Sequence, residues 1–154
     1  HASLQEIIKY AGLWTEFEDW KKQLTQITSK QTLDHNQKIQ LWDFSGYNKF
    51  TTEKKTPLEA LEPTMKWYWE AVHYRKELGD RVLDRIYNYK QESRIVLDDF
   101  GVLLSEKNIK NHLKEIRKQQ TKYEQLHSEE KKIWVQRIEE IKVKRRFLDC
   151  QKSL

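Results

Sequence analysis

The chain has 154 residues and a formal net charge of +5, with 34% charged and 37% hydrophobic residues. Six Trp, seven Tyr and five Phe exclude disorder throughout, because aromatic side chains bury large areas. The charge excess is too small to imply a nucleic-acid partner, and no run approaches the ~18 apolar residues of a membrane span. Cys150 is the one cysteine and cannot form an internal disulfide. The only Met is Met65, so the chain is expected to be a processed product or a piece of a longer protein. No signal peptide is visible.

Residues 3 to 28 read as amphipathic helix. Leu4, Ile7, Ile8, Ala11, Trp14, Phe17, Trp20, Leu24 and Ile27 recur at spacings of three and four, which predicts one core-facing stripe. Gly12 marks a break, and Thr15 with Glu18 suits a capping box, so one kinked helix or two short ones fit equally. Residues 29 to 37 are a polar connection. Ile39 to Phe44 reads as a short, mostly buried strand of parallel type. Asp43 stands at its C-terminal end, where open α/β sheets place ligand-binding and catalytic groups. Residues 45 to 66 form a long loop with Gly46, Pro57 and Pro63, in which Thr56 can cap a helical turn over 57 to 61.

A helix is predicted from about Val72 to 90, with Val72, Leu78, Val82, Leu83, Ile86 and Tyr89 on its apolar face. Gly79 inside it suggests close approach of a neighbouring backbone. After the apolar patch Phe100 to Leu104, Ser105 can cap a helix over 106 to 127, with a stripe at Ile109, Leu113, Ile116 and Tyr123. Ser128 can cap a last helix over 129 to 148, with Ile133, Trp134, Ile138, Ile141 and Phe147 on a face. The two form a helical hairpin, the expected route to a protein partner. The reading is thus a helix-rich α/β fragment with a short parallel-type strand and flanking helices over residues 1 to 96. A C-terminal helical extension covers 97 to 154.

The chemistry centres on Met65-Lys66-Trp67-Tyr68-Trp69-Glu70-Ala71-Val72-His73-Tyr74. Glu70 and His73 stand three apart, a spacing that lets a carboxylate orient an imidazole and leaves its other nitrogen free as a base. Trp67, Tyr68, Trp69 and Tyr74 either wall a substrate cleft or fill a gap by packing; packing is expected for most, with Trp67 and Tyr68 as the cleft candidates. A second Glu-x-x-His, Glu124 and His127, would suit a di-metal carboxylate bundle, but it falls on a polar hairpin tip. Neither a metal nor a cofactor is expected. His35 and His112 read as surface residues, and Asn48 as a loop polar residue. The run Lys142-Val143-Lys144-Arg145-Arg146 reads as a solvated helix end rather than a nucleic-acid or lipid site.

Leu41-Trp42-Asp43-Phe44-Ser45-Gly46-Tyr47-Asn48, Thr51-Thr52-Glu53 and Trp67 through Ile86 together resemble the C-terminal part of bacterial SGNH (GDSL-like) hydrolases. The resemblance extends over about residues 1 to 127. It implies His73 as general base, Glu70 as its orienting acid, and ester or acyl chemistry in a complete protein facing the cell envelope. That superfamily usually has Asp where Glu70 stands, and its Gly-Asp-Ser and Gly-x-Asn-Asp blocks have no counterpart here. The expectation is a segment inactive alone, its nucleophile preceding His1. The alternative is a non-enzymatic helical interaction module.

Overall fold

The computed structural model describes residues 1–35, 39–54, 65–95 and 97–151. The turn expected over 57 to 61 lies outside these residues, as do the side chains of Trp134, Phe147 and Cys150. The chain is helix-rich. Its order is α1 (Ala2–Tyr10), α2 (Trp14–His35), β1 (Trp42–Asp43), α3 (Lys76–Ile86), β2 (Val102–Leu103), α4 (Ile109–Leu126) and α5 (Ser128–Gln151).

Of the two openings the sequence left, two helices is the outcome. Gly12 has φ +81°. Its N–H donates to Lys9 O at 2.9 Å, and the Leu13 N–H donates to Ile8 O at 3.0 Å. This pair of bonds is a Schellman stop, and it needs the left-handed residue that glycine supplies. The expected capping box does not form. Glu18 turns inward and accepts from Trp14 Nε1 at 2.8 Å and from Arg117.

The strand pairing also differs from expectation. β1 pairs antiparallel with β2, Trp42 opposite Leu103 and Asp43 opposite Val102. The Leu104 N–H continues the ladder to Leu41 O at 2.8 Å. The partner strand comes from the apolar patch after Phe100. Gly101, at φ +83°, turns the chain into that strand with the Phe44 ring against its Cα.

Among the described residues, two apolar clusters form the core. Phe50, Met65, Tyr68, Leu78 and Phe100 make one, with Phe44, Trp67, Val82 and Leu97 around it. Leu104, Ile109 and Leu113 make the other, against Leu41 and Val102. Both clusters combine residues from either side of position 96. The α4–α5 hairpin forms, with α4 starting at Ile109 after Asn108 and not after Ser105, and α5 packs on α1 as well as on α4. Of the face expected on α5, Ile138 is buried, but Ile133 and Ile141 are more than half exposed.

The stripe on α2 is not the core face that the periodicity argument expects. Trp20 and Ile27 are each more than half exposed and Trp14, Phe17 and Leu24 are half-buried, while Glu18, Lys21 and Thr25 are buried. The inward face is polar because its partners are polar: Arg117, Asp43 and Ser45. The α3 region also departs from expectation. Helix begins at Lys76, not Val72, and Leu83 and Tyr89 point to solvent. Leu78 and Asp84 are the buried members of α3, and Asp84 is held by two bonds from Arg94 at 2.8 and 2.9 Å. The group against Gly79 is the Tyr74 ring, not backbone: an added Cβ would lie 3.2 Å from its Cε2.

Candidate functional site

Residues 67 to 75 form a short antiparallel hairpin projecting ahead of α3. The Trp69 N–H donates to His73 O at 2.9 Å, and the Arg75 N–H donates to Trp67 O at 2.8 Å, flanking a bridge between Tyr68 and Tyr74. Glu53 grips its base, accepting from the Lys66 N–H and, at 2.8 Å, from the Trp67 N–H. Glu70 shapes its tip. One carboxylate oxygen accepts from the Val72 N–H at 2.7 Å, and the other from the His73 N–H at 2.9 Å.

The same Glu70 carboxylate meets His73 Nδ1. The Val72 amide, with the His73 ring and amide, holds the Glu70 carboxyl below the usual range. The pair the sequence singled out therefore comes together, at a turn and not on a helix. It is open to water: the His73 side chain is 78% exposed. With Nδ1 engaged, Nε2 is the nitrogen left for a proton or a substrate.

The two aromatic candidates part company. Tyr68 is buried in the core, and His1 packs edge-on to its ring at 5.1 Å. Burial, with a smaller effect of the Glu53 charge, pushes its phenol up to about 12. Trp67 is half-buried. Phe50 meets its ring edge-on at 4.9 Å, and the Arg81 guanidinium lies 4.4 Å from its centre. Trp69, expected to pack, is 59% exposed with the Arg75 guanidinium 3.9 Å from its ring centre.

Two further groups correct the sequence reading. His112 is not a surface residue: its side chain is 11% exposed, and its Nε2–H donates to Asp43 Oδ2 at 2.9 Å. The signal was present, since His112 lies on the same stripe as Ile109 and Ile116. Asp43 also accepts from Lys21 Nζ at 2.7 Å and from the Ser45 N–H at 2.9 Å, while Lys21 donates to Ser45 Oγ at 2.6 Å. Burial alone would raise the Asp43 carboxyl. The His112 bond, the Lys21 charge and the Ser45 bond override burial and hold it well below the usual range. This cluster contains hydroxyl, amine, imidazole and carboxylate, but each is committed to its neighbours and shut away from solvent. Asn48 is also buried, accepting from the Phe50 and Thr51 amides at 3.0 and 3.1 Å.

Glu124 and His127 are not brought together. Glu124 pairs with Lys9 and Lys131, and His127 donates to Tyr123 O at 2.9 Å and stacks on the Tyr123 ring. Among the described residues no three His, Cys, Asp or Glu side chains are grouped to hold a metal, and no helix is long and apolar enough to cross a membrane. A concavity of about 290 Å³ opens beside Asp84, Asn88, Lys90 and Arg94, away from His73. Compared with protein-family models, curated proteins and solved structures, the chain finds no match.

Proposed function

We propose that this chain carries the base half of a serine-hydrolase-type site of the SGNH kind, acting on esters or acyl groups. His73 Nε2 takes the proton of a serine hydroxyl, and Glu70 fixes the ring and stabilises the imidazolium that forms. The serine is supplied by a segment outside these 154 residues. One observation carries the reading: the Glu70 carboxylate holds Nδ1 of His73 while gripping the turn that presents the ring, which leaves Nε2 facing outward. Such an arrangement sets tautomer and orientation together. The test is fluorophosphonate labelling of a longer protein that contains this sequence, beside its His73→Ala form. A large loss of labelling in the variant supports His73 as base, and equal labelling refutes it.

A second reading, a helical interaction module, is favoured by the α4–α5 hairpin. Leu126, Ile133, Ile141 and Val143 are each at least half exposed along it. Under that reading, Ile141→Glu abolishes capture of a protein partner and leaves labelling unchanged.

A further inference from the structure

We propose that the outward face of the hairpin at residues 67 to 75 is the substrate platform for His73. It takes an ester whose sugar ring stacks on Trp69 and whose anionic group meets Arg75. This rests on the base reading of His73, but its evidence is separate. Trp67 stands opposite Arg75 and Trp69 opposite His73, on either side of the Tyr68–Tyr74 bridge. Opposed residues of an antiparallel pair share a face, and the face alternates along each strand. Tyr68 and Tyr74 therefore lie on one face, with Tyr68 in the core. Trp67, Trp69, His73 and Arg75 lie on the other.

That outer face gathers ring and cation. Arg75 covers one side of the Trp69 indole at 3.9 Å, while 59% of Trp69 stays exposed for a ligand ring. Lys66 and Arg81 lie 4.7 and 4.4 Å from the centre of the Trp67 ring. Among the described residues none of these three cations has a carboxylate within ion-pair distance, whereas Lys76 and Arg94 nearby both do. Arg75 Nε donates to Tyr68 O at 3.3 Å, so the terminal nitrogens of the stacked guanidinium are the edge left for an anion, and an indole face suits the C–H face of a sugar. His73 and Arg75 are two residues apart on one strand, about 7 Å. An acidic group at that distance from the scissile ester would be gripped while Nε2 serves the reaction.

The test is titration of the chain, followed by tryptophan fluorescence and two-dimensional NMR. The probes are a glucuronate-containing oligosaccharide and a neutral glucose oligosaccharide of the same length. The acidic sugar should bind at least about tenfold more tightly, with an affinity that falls as salt rises. Trp69→Ala and Arg75→Gln should each weaken it about tenfold, and Trp69→Phe should retain most of it. The readout here is binding by the chain itself and not labelling of a longer protein, so failure of this proposal is distinguishable from failure of the base assignment. Absence of acidic-sugar binding, equal affinity for the neutral sugar, or binding indifferent to Trp69→Ala in a variant with an unchanged circular-dichroism melt would overturn it.

Discussion

Replacing Asp43 with Ala removes the acceptor shared by Lys21, His112 and the Ser45 amide. The Lys21 and Asp43 side chains are 6% and 8% exposed, so the ammonium left behind has neither counter-charge nor bulk water. Its remaining partners are Ser45 Oγ at 2.6 Å and the Phe17 ring, whose centre lies 4.5 Å from Nζ. Breaking a buried pair by removing one partner costs about 3–5 kcal/mol, and the surviving Ser45 bond favours the lower part of that range. For a chain of this size, Tm should fall by roughly 8–14 °C. The double variant Asp43→Ala/Lys21→Met removes both charges, so it should be about 1–2 kcal/mol more stable than the sum of the single losses implies. Urea unfolding followed by tryptophan fluorescence measures all of these. Additivity within about 0.5 kcal/mol, or a loss under about 1 kcal/mol for Asp43→Ala, would refute the picture of a desolvated pair. Acid adds a second check. A carboxyl held below its ordinary 3.8 in the fold contributes fully above that value, and its contribution fades as pH falls toward the folded one. The wild-type chain should therefore lose stability progressively below about pH 4, and Asp43→Asn should show a shallower acid limb.

Three other outcomes follow from the same geometry. Gly101→Ala should cost about 2–4 kcal/mol in urea unfolding, because φ is +83° and the new Cβ would lie 2.3 Å from Phe44 Cε1; a loss under about 1 kcal/mol would mean that Phe44 moves aside freely. Burial raises the Glu6 carboxyl above 4.5 despite the 2.5 Å bond that it accepts from Tyr47. A raised carboxyl destabilises the fold where it is ionised, and the cost disappears as pH falls below 4.5. Glu6→Gln keeps the acceptor for Tyr47 without the charge, so its Tm should exceed wild type at pH 8 and match it near pH 4; a lower Tm at pH 8 would contradict this. Glu70→Ala should raise amide exchange at Val72 and His73 while leaving the global Tm nearly unchanged, since both side chains of the pair are at least half exposed. Unchanged protection at those two amides would show that the turn does not depend on the carboxylate.

How much the sequence disclosed depended on how local the deciding contact was. The α4–α5 hairpin was legible because the α4 stripe and the polar turn lie within neighbouring turns of helix, whereas its caps were not: Asn108, not Ser105, precedes α4, and Ser128 is the first residue of α5. The break at Gly12 was legible for the same reason. The direction of α2 was not. Its apolar period is real, but Glu18 and Arg117 are 99 residues apart, and Lys21 and Asp43 are 22 apart. No pattern within one helix reports partners that distant. The strand's orientation was hidden likewise, since β2 is two residues long and comes from a patch read as a prelude to helix. The Glu70–His73 pair lies between these cases. Spacing of three brings a carboxylate to an imidazole on a helix and in a turn alike, so contact could be expected and its carrier could not. The carrier was decided by what else Glu70 does. Its carboxylate engages the Val72 and His73 amides, giving those donors a side-chain partner and favouring a turn over a helix begun at Val72. That competition delays α3 until Lys76 and leaves His73 on a projecting hairpin beside Trp69 and Arg75. A helix from Val72 would instead have set His73 within its first turn. The residue proposed to orient the base is thus also the one that builds its mount, and the Glu70→Ala exchange experiment tests the second of those roles.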